Sequence, residues 1–422
     1  MNRTPPAGFE FIEGIPDEQY RSWLDCWLSA LAEPLGTDPA VFEFYRRTFP
    51  AARGLAITDA DGIVATNISL DSELAVPGGG SVPAAIGTGG FCHPTQTRRG
   101  LMTQLLDRIY RRAVEEGKAT CADWPSEWPI YRRFGHGPAS WCDTMRIDIR
   151  RAGLRDDTPG SGMRPQRIDN SRAREVARRV FGNSFGGTPG ELRPPDAFWD
   201  RLATDPASPA LDALCTLGDP GTGVRQCVAV ADRGFLSYRV VPAWTPDKAP
   251  DGAVHVIDFL AADAEAAGAL WRYLFSLDMV SEIHVPRLPV DDPLRWWVTD
   301  ARWLRSRRKD GMWLRLLDVP AVLSARSWAA DGVLTVRVDD ARGWADGTFH
   351  LEVDKGIGAC RRTTNAPDLE LDVATLGAIV LGGTPAAGFF RAGHIRAAEP
   401  RHVLQWDAMA TPERAPFLSY VL

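Results

Sequence analysis

The stretch from Gly89 to Leu106 constrains this chain more than any other, because it reads as strand, turn and helix in immediate succession. Leu101, Met102, Leu105, Leu106, Ile109, Tyr110 and Ala113 recur at three- and four-residue spacing, while Gln104, Asp107, Arg108, Arg111 and Arg112 fall on the opposite side. That period is helical, and Gly117 suits the end of such a helix. Thr97, Arg98, Arg99 and Gly100 stand at its start. Unpaired backbone N–H groups, the positive end of the helix dipole and two guanidiniums converge there, which predicts an anion site with pyrophosphate as occupant. An ordinary capped surface helix with two solvated arginines would account for the same residues equally well.

The chain has 422 residues, enough for about three domains of roughly 150 residues each, and its 45% hydrophobic content is ample for ordinary cores. The formal net charge of −6 argues against a nucleic-acid or anionic-membrane partner, either of which favours a basic excess. The seven cysteines, at positions 26, 92, 121, 142, 215, 227 and 360, show no paired metal-ligand spacing, so no metal site is expected. Their odd number in a long chain fits a reducing compartment. The first residues, Met1 to Pro6, lack an apolar signal core, and no apolar run approaches the roughly 18 residues of a membrane span, so a cytoplasmic protein is expected.

In chain order, Asp17 to Glu33 predicts a first helix, with Trp23, Leu24, Trp27, Leu28 and Leu31 on one face, and Pro39 to Thr48 a second. Leu55 to Leu70 reads as a hairpin turning at Asp61 and Gly62. A glycine-rich turn follows Pro77, then two strand-like segments, the anion-binding turn, the Leu101 helix and a strand from Ala119 to Trp124.

This order resembles the GNAT acyltransferases. Ser126-Glu127 followed by Ile130-Tyr131-Arg132-Arg133-Phe134-Gly135-His136-Gly137-Pro138-Ala139 is similar to the signature of the enhanced intracellular survival (Eis) family. Matches continue at Asp292-Pro293-Leu294, Thr299-Asp300-Ala301-Arg302, Asp310 to Arg315, Val319-Pro320-Ala321 and the terminal Pro416 to Leu422. The resemblance implies an α/β (α+β) chain of tandem GNAT domains followed by a sterol-carrier-protein-like α/β domain. The expected division is a catalytic domain over 1–150, a GNAT-like domain without a cofactor site over 151–303, and the C-terminal domain over 304–422.

The residues themselves support that division. Arg151 to Gln166 is rich in Gly, Pro and Arg without apolar period, as a linker is. Beyond it the pattern repeats: a helix from about Ser171, strands at 226–231, 234–241 and 254–260, and a helix from about Ala264. Setting Phe259 against Phe91 places Gly268 on Gly100, but Ala266 and Ala267 replace the two arginines and Glu265 replaces Thr97. A pyrophosphate would meet a carboxylate there, so this copy is expected to pack rather than to bind cofactor. His255, His284, His350, His394 and His402 are scattered singly and read as packing or surface residues.

The resemblance implies acetyl-CoA, or another acyl-CoA, as co-substrate and the amine of a small molecule as acceptor. It also implies roles for particular residues. The backbone of Arg98, Arg99, Gly100, Leu101 and Met102 would cradle the pyrophosphate, and the strand at Gly90, Phe91 and Cys92, with Ser126, would hold the pantetheine and acyl carbonyl. Tyr131 would protonate the departing thiolate, and the α-carboxylate of Leu422 would be the base. The tail supports this independently, since Phe417 to Leu422 is apolar and strand-like without a charged side chain, which predicts burial of its terminus. Glu127 or His136 is the competing base.

Departures from the family pattern fall at Thr97, Met102, the Gly90-Phe91-Cys92 strand, Trp128-Pro129 and His136. Gly89 and Gly90 are expected to widen the acyl slot, and Cys92 permits a covalent role beside a plainer one as a small buried thiol. For the acceptor, Trp23 and Trp27 could flank a cationic amine held by Asp25, Glu33 or Asp38. Core packing and solvated surface are the alternatives for these residues. Two other functions fit the same residues: an Eis-like scaffold repurposed for a different reaction in specialised metabolism, and a non-catalytic oligomeric binding protein. The family resemblance implies a homo-oligomer, a hexamer.

Overall fold

The computed structural model describes residues 6, 8–29, 38–216 and 219–422. Two seven-stranded sheets and one five-stranded sheet organise them. The first sheet runs in the order Glu10–Glu13, Gly54–Asp59, Gly62–Ala75, Ser81–Cys92, Thr120–Asp123, Trp313–Leu316 and Gly137–Pro138. All its pairings are antiparallel except the one between Ser81–Cys92 and Thr120–Asp123, which the helix Leu101–Glu115 connects as a crossover. That helix is amphipathic as its period predicts, burying Leu101, Leu105, Leu106, Ile109, Tyr110 and Ala113.

The second sheet repeats the plan. Its parallel pair, Gly252–Ala261 with Val280–Pro289, is joined by the helix Ala264–Phe275, and Gly234–Val241 and Gln226–Val230 extend it antiparallel. The expected boundaries at 150 and 303 differ from sheet membership. Trp141–Asp148 pairs with Val280–Pro289 in the second sheet, beside Arg307–Asp310, whereas Trp313–Leu316 crosses back into the first, between Thr120–Asp123 and Gly137–Pro138. The first sheet therefore takes a strand from beyond the second unit, and the second takes one from the end of the range expected for the first, long-range pairings that composition does not reveal. The third sheet, with Gly332–Asp339 at its centre, lies under helices Val373–Ile379 and Pro400–Ala410.

The chain end ties the three units together. The apolar tail leaves the third unit and is pinned residue by residue: Ala415 N–H donates to Asp291 at 2.7 Å, Phe417 N–H to the Pro189 carbonyl at 2.8 Å, and Ser419 N–H to the Glu191 carboxyl at 3.1 Å. Tyr420, fully buried, donates to the Leu192 carbonyl at 3.0 Å and packs on Phe198.

Candidate active site

The site begins with a fault in the first sheet. Thr66 pairs with Phe91 and Ile68 with Thr88, so Asn67 alone faces both Gly89 and Gly90. Two residues against one is a β-bulge, and it bends the strand at that point. Gly89 adopts φ +64°, a left-handed conformation that glycine reaches at little cost, and its carbonyl accepts the Thr66 hydroxyl at 2.8 Å. The parallel pairing with Thr120–Asp123 stops at Ile86 opposite Ala122. Beyond it the strand continues to Cys92 without that partner, so its backbone groups are available to a ligand lying between the strands.

The turn that follows fits a pyrophosphate. Arg98 at φ +63° and Gly100 at φ +81° are both left-handed, the coil that a nest of backbone N–H groups needs. No side chain caps the helix Leu101–Glu115, and a Cβ at Gly100 would meet nothing within 4 Å. Arg98 is exposed. Arg99 stacks over Phe9 at 4.5 Å and donates to Gln96 at 2.7 Å, which holds its charge beside the turn. Leu101 is buried and anchors the helix, while Met102 lies half-buried against Asn67.

The equivalent turn in the second unit is filled. The linker crosses the start of Ala264–Phe275, where Gly160 N–H donates to Glu265 at 2.7 Å, and a Cβ on Gly268 would collide with the Pro159 carbonyl. Asp263 caps the helix through Ala266 N–H at 3.0 Å. Glu265 thus occupies the turn with the chain's own backbone.

Between the bulged strand and the tail lies a cavity of about 310 Å³. Its lining brings together Trp27, Gly89, Gly90, Ser126, Tyr131 and Leu422 from the residues expected at the site. Thr88, on the bulged strand, donates its hydroxyl to the main-chain oxygen of Leu422 at 2.9 Å. The Tyr131 hydroxyl neighbours the carboxyl of Asp123, and a Cβ on Gly90 would sit 3.7 Å from it. Burial, then the neighbouring Asp123 carboxyl, push the Tyr131 phenol well above its usual range.

Other expectations fall elsewhere. Trp23 is fully buried, its indole N–H donated to the Leu55 carbonyl at 3.0 Å, and it does not line the cavity, because its helix turns it toward the sheet. Asp25 is exposed on that helix, away from the cavity. Asp38 caps the helix Pro39–Thr48 through Ala40 N–H at 2.8 Å. Glu33 lies outside the described residues. Trp27 reaches the cavity and takes the space a larger residue at 89 would fill, since a Cβ on Gly89 would lie 3.0 Å from its ring. The slot is therefore not widened at Gly89. Cys92 is half-buried, and burial pushes its thiol up, away from thiolate character.

His136 is fully buried against Tyr110, 2.9 Å from its hydroxyl, and does not line the cavity. Burial and the nearby Arg315 guanidinium push it down to about 3. At neutral pH such an imidazole carries a proton in about one molecule in 10⁴. Glu127 is exposed and also lies away from the cavity.

Among the lining residues that the sequence did not point to are Thr88, Asp123, Arg287, Lys309 and Phe49. Asp123 carried one usable signal, a carboxylate within the otherwise apolar strand Thr120–Asp123. Arg287 and Lys309 come from the second sheet, and only its position against the first reveals them.

Comparison with known proteins agrees with this fold. The acetyltransferase (GNAT) domain matches residues 12–139 and again 190–316, and the sterol carrier protein domain matches 319–419. The fold and site define a GNAT-type N-acetyltransferase that uses acetyl-CoA. An uncharacterized N-acetyltransferase of Streptomyces coelicolor is 33% identical over 387 residues, 88% of this chain and 91% of that protein. N-acetyltransferase Eis of Mycobacterium bovis is 30% identical over 373 residues, 86% of this chain and 88% of its own. The crystal structure of Eis1 from Mycobacterium abscessus superposes with a TM-score of 0.82 at 28% identity, covering 98% of this chain and all of that one. The chain belongs to the Eis family of GNAT N-acetyltransferases.

Proposed function

We propose that this enzyme transfers an acyl group, acetyl first among them, from a CoA thioester to the amine of a small molecule, with Tyr131 as acid and the α-carboxylate of Leu422 as base. The observation that carries the reading is that these two groups, from distant parts of the chain, line one cavity with the bulged strand. The uncapped turn at Gly100 offers N–H groups to the pyrophosphate. Strand backbone freed at the bulge can hold the acyl carbonyl. The Leu422 carboxylate takes the proton that the attacking amine must lose, directly or through water, and Tyr131 supplies one to the leaving sulfur. The cytoplasmic location and hexameric assembly implied by the family are part of the same proposal.

The cavity also bears on the acceptor. Trp27, Phe44, Phe49 and Phe198 give it an aromatic wall, and its charged lining sets Arg287 and Lys309 beside Asp310 and Leu422. That aromatic wall suits an acceptor whose amine is carried on a flat apolar body.

Calorimetry with acetyl-CoA, followed by turnover of the Tyr131→Phe variant, tests the proposal. Binding in the micromolar range and a fall of about 10² in kcat with unchanged acetyl-CoA affinity are expected. Absence of binding at millimolar acetyl-CoA, or full activity in the variant, would overturn it.

A further inference from the structure

The cavity holds one carboxyl that the proposed chemistry does not use. Asp123 ends the strand Thr120–Asp123 and is buried there, with Oδ1 accepting the Trp124 N–H at 2.9 Å. Its Oδ2 lies where only a glycine leaves room: a Cβ on Gly87 would be 2.8 Å away. The Tyr131 hydroxyl is its polar neighbour on the cavity wall. No cation pairs with it among the described residues. Around it face Cys121 on its own strand and Tyr110 on the crossover helix, while Arg315 nearby is ion-paired with Asp340 at 2.6 Å. The Leu422 carboxylate, Asp310, Lys309 and Arg287 line the same cavity.

A hydroxyl has one proton to give. If Asp123 is ionised it can only accept, so it claims the phenolic proton and sets a negative charge beside the phenolate that must form. If it is neutral, Oδ1 is already accepting from Trp124, and the acid proton on Oδ2 is free to be donated.

We propose that Asp123 is a positioning residue that works in its neutral form: its carboxyl O–H donates to the Tyr131 oxygen and turns the phenolic proton toward the departing sulfur. The step balances without a further reactant. The Tyr131 O–H bond breaks as the S–H bond forms, the Asp123 proton passes along its hydrogen bond to the phenolate, and Asp123 is reprotonated from solvent after release. Burial is what keeps the acid neutral, pushing Asp123 up to about 8 against the lowering pull of the Trp124 N–H and Tyr131. Activity should then fall as pH rises through that value.

The inference rests on the reading of Tyr131 as acid, and the test separates the two. Acetylation of phenethylamine by acetyl-CoA is followed from pH 6 to 9.5 in the full-length parent and in the Asp123→Asn, Asp123→Ala and Tyr131→Phe variants. Infrared titration of the parent against Asp123→Asn reads the carboxyl directly and needs no acceptor. The side-chain amide introduced by Asp123→Asn does not titrate in this range and donates at every pH. That variant should keep activity within about threefold at pH 7 and lose the alkaline decline, whereas Asp123→Ala should fall by about 10². The infrared band of a protonated carboxyl should persist in the parent to about pH 8. An Asp123→Asn variant as impaired as Asp123→Ala, an unchanged alkaline decline in it, or a carboxyl already ionised at pH 6 would overturn the inference while leaving the Tyr131 reading intact. Full activity of Tyr131→Phe would remove both.

Discussion

The hydroxyl of Thr88 donates to the main-chain oxygen of Leu422 at 2.9 Å, across 334 positions of the chain. Thr88 belongs to the bulged strand of the first sheet, and Leu422 ends a tail that arises from the third unit. This one bond joins the two halves of the proposed chemistry, because it sets the group proposed as base beside the strand that would carry the acyl carbonyl.

Arg99→Glu combined with Gly100→Asp should abolish CoA binding, with affinity reduced at least about 10²-fold by calorimetry and a circular dichroism spectrum like the parent's. Both carboxylates would enter the space before the uncapped helix, where a Cβ on Gly100 meets nothing, so the change is electrostatic rather than steric. Unchanged affinity in the folded variant would remove the anion site from this turn.

Gly90→Ala tests the acyl slot. The new methyl would lie 3.4 Å from the Asn67 amide nitrogen and 3.7 Å from the Tyr131 hydroxyl, close enough to fill the space without forcing the sheet apart. The ratio of kcat/KM for propionyl-CoA over acetyl-CoA should drop by about tenfold, the scale of one methylene in a tight pocket. A constant ratio would locate the acyl chain elsewhere.

Glu191→Gln should change how stability depends on pH. Burial pushes the Glu191 carboxyl up to about 8, so the folded chain holds a proton that the unfolded chain releases near 4.5. Its contribution is fully present below about pH 4.5 and is lost as pH rises through about 8, so Tm should decline over that window. Gln keeps the carbonyl oxygen that accepts Ser419 N–H but cannot ionise. Thermal melts of the variant should fall less steeply than the parent's, with Asp123 accounting for part of the slope that remains. Equal slopes would contradict the assignment.

Much of this architecture was legible because it is written in local periods. The helix Pro39–Thr48 and the strand Gly234–Val241 begin and end, and the helix Ala264–Phe275 begins, where the sequence pattern predicts. The tail was legible too, since six residues without a charged side chain rarely stay in water at a chain end. What escaped was whatever depends on tertiary register. Trp23 and Trp27 share one helical face, yet one donates to Leu55 in the core and the other walls the cavity. The exchange of Trp141–Asp148 and Trp313–Leu316 between sheets, and the cations it brings near the site, leave no local mark. Asp123 reads from its neighbours as a strand residue, and only the fold sets it against Tyr131.

The most direct test of the account is the rate of acyl transfer after one glycine is added beyond Leu422. The addition keeps every side chain and the apolar tail but moves the carboxylate by up to about 3.5 Å from its place beside Thr88. Single-turnover measurements with saturating acetyl-CoA should show a loss of at least about 10²-fold, with acetyl-CoA affinity unchanged. A lengthened chain that acetylates as fast as the parent would contradict the terminal carboxylate as base.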